Sequence, residues 1–345
     1  MYTSLSIKNF RAFQTLEVEG LKRVNLFTGR NNSGKTSVLE AVYLLEGSNE
    51  ALRVLALYEG RGLGSTKMDR FSERTMPWAT LFHDLEVEAD IELSGTHAGG
   101  GAARIALSTN LTPEDRQALP STSYNPAGIL VTRKPHLADR PRDFLLVTGD
   151  KIDSLNRSLS LAPRFLLAGK KADPLDLAKY YGDLEIEKAE DSVVEALRII
   201  DGRILDVKTN HSGGPPVMYA DTGGRRLLPL AVLGEGAGRL FEIVLEMRRG
   251  QGGPVLIDEI ENGFHYSVLP EVWKLIHALA KEHDVQVFAV THSEECAVAA
   301  HEAAVESGDY DFQYYRVERK NGIGSAVAYT RDQMQTSIEY ELEFR

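Results

Sequence analysis

The sequence lacks the features of several protein classes. Cys296 is the single cysteine among 345 residues, so an intramolecular disulfide and a cysteine-based zinc site are excluded. No apolar run approaches the roughly 18 residues that suggest a membrane span, and no basic segment followed by an apolar one marks a secretory signal. Heptad patterns, which long coiled-coil arms require, are also missing. These absences predict a soluble, cytoplasmic protein that makes no membrane contact.

The charge balance argues against broad contact with nucleic acid. The chain has 50 acidic and 39 basic residues, and its formal net charge of -11 repels a phosphate backbone on average. Nucleic-acid binding is possible only through a local basic patch, and we favour a solvated surface as the interpretation of each basic cluster. The clustered basic residues are Arg61, Lys67, Arg70 and Arg74, then Arg133, Lys134, His136, Arg140 and Arg142, and finally Lys170 and Lys171.

Hydrophobic patterning predicts an α/β protein. Alternation over residues 2–10 indicates a strand, and apolar runs at 23–28, 254–257 and 285–290 indicate buried strands. Because apolar strands alternate with helical patterns, we expect a parallel sheet covered on both faces. Other predicted elements are helices over 35–45 (with Gly47 as C-cap), 184–200, 268–281 and 294–305 and a further helix that starts after Gly238, strands over 85–93 and 104–108, and hairpins over 217–230 and 314–329. Residues 48–80 are expected to be irregular.

A phosphate-binding loop is the strongest motif in the sequence. Residues 29–36, Gly-Arg-Asn-Asn-Ser-Gly-Lys-Thr, match G-x-x-x-x-G-K-[ST] in full, between a predicted strand and a predicted helix. Glycines let backbone N–H groups wrap a phosphate, and the helix N-terminus adds its positive dipole end. Lys35 can reach the β- and γ-phosphates of a nucleotide, and the Thr36 hydroxyl can ligate Mg²⁺. A chance match is the alternative.

Two acids follow an apolar strand. Asp258 and Glu259 come directly after residues 254–257, at the carboxyl end where parallel-sheet sites lie. Asp258 would belong to the Mg²⁺ shell, and Glu259 would orient and polarise the attacking water. Adjacent strand residues point in opposite directions, so both acids can serve one site only if the strand has already ended. A solvated acidic turn is the alternative.

His292 follows the next predicted strand. It lies within Thr291-His292-Ser293, one strand–helix–strand unit after the paired acids. There it can donate a hydrogen bond to the γ-phosphate or to the attacking water. A lone histidine at a strand end is more often structural, and His265, at a loop-to-helix junction, is interpreted as structural or interfacial.

The order of these motifs resembles that of the ATP-binding-cassette ATPases. A glycine motif, Leu233 to Arg239, opens a helix before the Asp-Glu strand, where that family has its signature sequence. The closer resemblance is to soluble RecF-like and SMC-like ATPases, and especially to the overcoming-lysogenization-defect (OLD) type without a TOPRIM nuclease domain. The stretches that carry it are residues 7–13, 31–37, 258–267 and 286–293. The middle of the chain carries no comparable match.

This resemblance implies a fold and a set of nucleotide contacts. The fold is an α/β, ABC-ATPase-like P-loop NTPase with a mixed central sheet, an antiparallel β subdomain and a helical signature region. One domain would span residues 1–345, with a variable insert at about 48–180 and the signature, Walker B and histidine-switch half at 181–345. The implied ATP-contacting residues are Gly29, Asn31, Asn32, Ser33, Gly34, Lys35, Thr36 and Ser37, with Gly234, Glu235 and Gly236 acting from a second subunit.

One departure from the resembled family concerns the signature. Gly234 stands where the family has a serine, so a direct serine–γ-phosphate bond is absent. Backbone N–H groups around Gly234 to Gly236 would bind the phosphate instead, and hydrolysis would be slower for that reason.

The resemblance favours an Mg²⁺-dependent ATPase that dimerises around ATP and acts as a switch for a partner. The role would lie in anti-phage defence or DNA transactions. The stretch after His292 is short for a TOPRIM nuclease domain, so any such effector is expected to be a separate chain. A RecF-like repair ATPase that binds DNA directly is the alternative, and an ATPase subunit of a transporter is the less favoured third.

Overall fold

The structure is a computed structural model, and it describes residues 1–46, 50–60, 77–118, 128–133, 143–148, 151–154, 165–168, 172–210 and 214–342. The strands are β1 (Tyr2–Phe10), β2 (Phe13–Glu19), β3 (Val24–Thr28), β4 (Ile91–His97), β5 (Ala102–Ser108), β6 (Gly128–Arg133), β7 (Asp143–Thr148), β8 (Lys151–Ser154), β9 (Phe165–Leu166), β10 (Asp206–Asn210), β11 (Val217–Asp221), β12 (Leu228–Pro229), β13 (Pro254–Ile257), β14 (Gln286–Val290), β15 (Phe312–Lys320) and β16 (Ile323–Tyr329). The helices are α1 (Lys35–Leu45), α2 (Glu50–Gly60), α3 (Pro113–Ala118), α4 (Pro174–Glu187), α5 (Asp191–Leu197), α6 (Glu235–Arg249), α7 (Leu269–Glu282), α8 (Glu294–Glu306) and α9 (Arg331–Glu339).

Most of the described strands form one mixed sheet. Its order is β8-β7-β6-β5-β4-β1-β2-β16-β15-β3-β14-β13-β9. The last five of these strands run parallel to one another. The strands from β8 to β2 are antiparallel, and they join the rest where β2 runs parallel to β16. A second, antiparallel sheet contains β10, β11 and β12.

The parallel strands are buried on both faces. Every residue of β3 and β14 is buried, which explains why their sequences are mostly apolar. Phe27, Phe288 and Leu256 face the core that contains α1. Their neighbours Leu26, Val287 and Val255 face the core that contains α6, α7 and α8. With both faces covered, the carboxyl ends of β3, β13 and β14 remain as the edge at which polar groups can collect.

Several predicted elements are wrong in extent. Residues 50–60, expected to be irregular, form the helix α2, and β2 was not predicted. The strand expected over 85–93 begins only at Ile91, because Leu85 lies in a short 3-10 turn with φ of 64°. The helix expected over 184–200 is divided at Lys188, which has φ of 57°. Gly47 and the stretch 61–76 lie outside the described residues.

Most of the glycine motif lies inside a helix and not before it. α6 begins at Glu235, so Gly236 and Gly238 are helical residues, whereas the helix was expected to start after Gly238. Among the described residues, no helix is long and apolar enough to cross a membrane.

Candidate active site

The phosphate-loop sequence lies between β3 and α1. Gly29 has φ of 135° and Gly34 has φ of 100°, a region that L side chains rarely adopt. A Cβ on Gly29 would lie 2.3 Å from the Val317 carbonyl oxygen, and one on Gly34 would lie 2.3 Å from the ring of Phe13. The loop is therefore held close to β15 and β2, and only glycine fits at these two positions.

The N-terminal end of α1 has the character of an anion site. Gly34 is the N-cap and offers no side chain to the free backbone N–H groups of the first turn. The residues that open the helix, Lys35, Thr36 and Ser37, include no acid that would occupy the positive end of the helix dipole. The buried hydroxyl of Ser33 has no hydrogen-bond partner among the described residues. These groups suit a bound phosphate.

Lys35 is directed back over the loop. Its ammonium donates to the carbonyl oxygens of Gly29 at 2.7 Å and Arg30 at 3.0 Å, and only 4% of the residue is exposed. Burial lowers the pKa of Lys35, while the carboxylates of Asp258, Glu261 and Glu259 oppose that shift. A negatively charged phosphate bound at the loop would pair with the Lys35 ammonium more strongly than the two neutral carbonyl groups do.

Asp258 and Thr36 lie within reach of one ion. The Thr36 hydroxyl is 3.3 Å and 3.4 Å from the two carboxylate oxygens of Asp258. Mg²⁺ keeps several waters and commonly takes one or two protein oxygens plus substrate phosphates. Within the described residues no group of three or more His, Cys, Asp or Glu could hold a metal by itself. A hydroxyl and one carboxylate beside a phosphate loop therefore fit an ion that arrives with its nucleotide.

The strand before the two acids has ended, which is the condition that a shared site requires. β13 stops at Ile257, and Glu259 has a left-handed backbone with φ of 46°. The Asn262 side-chain amide donates to a Glu259 carboxylate oxygen at 2.6 Å. Backbone conformations of this kind in non-glycine residues are uncommon and concentrate at functional sites.

His292 borders two cavities beside the phosphate loop. The first, of about 500 Å³, is lined by Thr28, Gly29, Arg30, Asn31, Thr291, His292, Ser293, Glu294, Ala297 and Tyr314. The second, of about 540 Å³, is lined by Arg11, Ala12, Asn32, Gly34, Lys35, Thr36, Ser37, Thr80, Phe82, Asp84, Leu85, His292 and Arg319. The structure therefore brings the predicted phosphate loop and His292 together.

Glu261 is a member of this site that sequence reasoning did not single out. Its Oε1 accepts a hydrogen bond from the backbone N–H of His292 at 2.8 Å. The spacing Asp258-Glu259-Ile260-Glu261 was the available signal, but an acid two positions after Glu259 has no meaning until the loop conformation is known.

The glycine motif is divided between the interior and the surface. Gly234 and Glu235 are exposed, and neither they nor Gly236 line the two cavities. Gly236 is buried, and a Cβ there would lie 2.6 Å from the Gly263 carbonyl oxygen. Arg239 Nη2 donates to the Asp258 carbonyl oxygen at 2.8 Å, which ties α6 to the loop after β13. Gly234 and Glu235 therefore do not meet the phosphate loop of their own chain.

Other sequence candidates have less to do with the site. His265 is exposed, its Nδ1 lies 2.9 Å from the Ser267 hydroxyl, and its ring contacts Tyr266 with centroids 4.3 Å apart. Most of the basic clusters, at 61–74, 134–142 and 170–171, lie outside the described residues. The side chain of Arg133 also lies outside them.

A phosphate loop at the edge of a mixed sheet, facing an Asp-Glu strand end and a histidine loop, defines a P-loop ATPase of the ABC type. The chain belongs to the family described as "AAA domain, putative AbiEii toxin, Type IV TA system", whose model matches residues 24–296. The expected P-loop ATPase class is thereby confirmed, whereas the OLD subtype stays a prediction.

Individual proteins agree with this assignment. The chain is 22% identical over 331 residues to an ATP/GTP phosphatase of Helicobacter pylori, covering 86% of each chain. A shorter match, 47% identical over 55 residues, links 16% of the chain to 15% of the DNA replication and repair protein RecF of Nitrosococcus oceani.

Solved structures confirm the expected fold class. An Smc head bound to the C-winged helix domain of ScpA is similar with a TM-score of 0.54 and 13% identity, over 98% of this chain and 99% of the other. An Smc head with an extended coiled coil, bound to the C-terminal domain of ScpA derived from Pyrococcus furiosus, gives 0.53 and 11% over 99% of each chain.

Proposed function

We propose that this protein is an Mg²⁺-dependent ATP hydrolase that uses the site between β3, β13 and β14. The observation that carries the proposal is the convergence of Lys35, Thr36 and Asp258 at one sheet edge, with the Thr36 hydroxyl 3.3 Å from the Asp258 carboxylate. The name of the Helicobacter pylori relative, ATP/GTP phosphatase, supports a reaction of this class. Each residue role below is part of the proposal.

The loop binds the triphosphate. Backbone N–H groups of residues 31–37 wrap the β- and γ-phosphates, and Lys35 leaves the loop carbonyls to pair with them. The ribose and base occupy the cavity bordered by Ser37, Arg11, Asp84 and Arg319, since this cavity is next to the start of α1. Thr36 and Asp258 hold Mg²⁺, which neutralises charge on the phosphates when bound.

The acidic loop handles the water. Glu259 orients and polarises the attacking water by accepting a hydrogen bond from it. The Asn262 side-chain amide donates to one Glu259 carboxylate oxygen at 2.6 Å and holds it in place. His292, which borders the phosphate cavities, donates a hydrogen bond to the γ-phosphate or to the water.

A second copy of the chain completes the site. Gly234 lies exposed at the N-terminus of α6 beside the acidic Glu235, and the backbone N–H groups there do not meet the phosphates of their own chain. Two chains related by a two-fold axis would each place this segment on the other's γ-phosphate. Hydrolysis would then open the pair, and a separately encoded effector such as a TOPRIM-like nuclease would respond in anti-phage defence or DNA transactions.

Replacing Lys35 tests the proposal. Lys35→Ala removes the cation at the phosphates, so ATP binding should fall to background. Phosphate release, measured with an inorganic-phosphate assay in the presence of Mg²⁺, should fall to background as well. Lys281→Ala is the matched control, because the Lys281 side chain is exposed and forms a surface ion pair with Asp309 at 3.4 Å. Full turnover by Lys35→Ala would refute the assignment of the site.

Direct DNA binding is the second candidate function. The local match to RecF, at 47% identity over 55 residues, favours it. A salt series of DNA binding tests it, because phosphate contacts release counterions and make affinity fall steeply with salt. No binding at low salt would leave the effector switch as the better account.

A further inference from the structure

Glu261 connects the two loops that carry the acidic pair and the histidine. β13 and β14 are parallel neighbours, and Ile257 lies opposite Ala289 at their ends. Beyond the strands, the Ile260 backbone N–H donates to the Val290 carbonyl oxygen at 3.0 Å. One step further, the His292 backbone N–H donates to Glu261 Oε1 at 2.8 Å. Glu261 therefore provides the side-chain part of a link that the backbone begins.

The Glu261 carboxylate is partly shielded from solvent. Its second oxygen, Oε2, is shielded from solvent and has no hydrogen-bond partner among the described residues. Its charge acts on Lys35 and on Arg239, since it raises the pKa of both groups against the larger lowering by burial. A shielded carboxylate with one unused oxygen costs free energy, which a function in the site would explain.

We propose that Glu261 is a positioning residue that holds the His292 loop against the acidic loop, so that the His292 side chain reaches the bound nucleotide. The proposal rests on the ATP hydrolysis proposed above. A side chain shorter than that of glutamate would not bring its acceptor oxygen to the His292 backbone N–H. When that bond is lost, the Ile260 N–H to Val290 carbonyl bond and the Thr291 N–H to Phe27 carbonyl bond at 3.1 Å remain, but His292 itself loses its tie to the acidic loop.

Two conservative variants separate reach from charge. Glu261→Gln keeps an acceptor oxygen at the same reach and removes the charge, whereas Glu261→Asp keeps the charge and withdraws it by one methylene. We expect Glu261→Asp to lower kcat for ATP by about 10- to 100-fold, the range for losing a hydrogen bond to a charged group, with little change in KM. Glu261→Gln should recover most of that loss. Glu271→Ala, an exposed carboxylate on α7 paired with Lys274, is the control and should leave kcat unchanged.

A double variant tests whether Glu261 acts through His292. If it does, Glu261→Asp combined with His292→Ala should be no slower than His292→Ala alone, because the effects of coupled residues do not add. Multiplying losses would overturn the proposal, as would wild-type kcat in Glu261→Asp or a Glu261→Gln variant as slow as Glu261→Asp. The last result would make the charge itself the active feature.

The outcomes separate this inference from the proposed function. Absence of Mg²⁺-dependent ATP hydrolysis in the wild-type protein would refute both. Hydrolysis that depends on Lys35 but not on the length of the side chain at 261 would refute only the role of Glu261. Thermal unfolding of each variant verifies that the compared proteins are folded, and ATP binding verifies that the phosphate loop is intact.

Discussion

At the scale of single residues, the site concentrates opposite charges on short loops. Asp258, Glu259 and Glu261 belong to one loop, and Lys35 and Arg239 are the cations on which they act. Burial lowers the pKa of Lys35 because a charged ammonium loses hydration, and the three carboxylates oppose that shift. The acidic loop therefore offsets part of the effect of burial on the Lys35 ammonium.

Glu259→Gln is the sharpest test of the water-activating role. The amide preserves the shape of the side chain and its reach to Asn262, but it loses the basic oxygen. We expect ATP to bind with nearly unchanged affinity and the hydrolysis rate to fall by about 100-fold or more, in the range of general acid–base catalysis. Single-turnover phosphate release measures the effect. Equal rates in variant and wild type would show that another group activates the water.

At the scale of elements, the N-terminus of α6 is fixed by close backbone contact. Gly236 packs against the Gly263 carbonyl, and a Cβ on Gly263 would lie 3.2 Å from the Gly236 nitrogen. Two glycines from separate parts of the sequence thus let α6 touch the loop after β13. Gly238, two residues further in the same helix, has open space around its Cβ position.

This difference predicts opposite effects of alanine at two helical glycines. Gly236→Ala should lower the free energy of unfolding by about 1–3 kcal/mol, because its methyl group overlaps the Gly263 carbonyl. Gly238→Ala should raise it by about 0.5–1 kcal/mol, since alanine loses less conformational entropy than glycine in a helix. Urea denaturation measures both. A Gly236→Ala protein as stable as wild type would contradict the close packing of α6 on the acidic loop.

At the scale of the whole molecule, the proposed dimer depends on the surface at the start of α6. Gly234 and Glu235 are exposed, and Tyr266, which follows the Gly263 loop, is 67% exposed. A bulky change at Gly236 would disturb the interior of its own chain before it reached a second chain. Gly238 is the better position for blocking assembly, because its Cβ would meet no atom within 4 Å outside the neighbouring backbone of its own helix.

ATP should therefore produce a dimer that a bulky residue at 238 prevents. We expect Gly238→Trp to bind one ATP per chain, yet to remain monomeric with ATP in sedimentation and to hydrolyse it poorly. Mixing Gly238→Trp with Lys35→Ala chains should restore some activity, since a mixed pair contains one site with both halves intact. A rate per chain that does not depend on protein concentration would refute the shared site.

The expected insert at about 48–180 stays a prediction.

The sequence alone determined what is local. The phosphate loop, the Asn321-Gly322 hairpin turn and the buried strands β3, β13 and β14 were predictable, because each depends on neighbours along the chain. The mixed P-loop fold was implied by the resemblance of the motif order to that of the ATP-binding-cassette ATPases.

Only the tertiary structure decided what joins distant segments. It placed β2 beside β16, packed Gly236 on Gly263 and brought Glu261 to the His292 N–H. These contacts link residues 27 to 308 positions apart, so no periodicity or local propensity encodes them. Their partners meet only when both faces of the sheet are covered and the strand ends are brought to one edge.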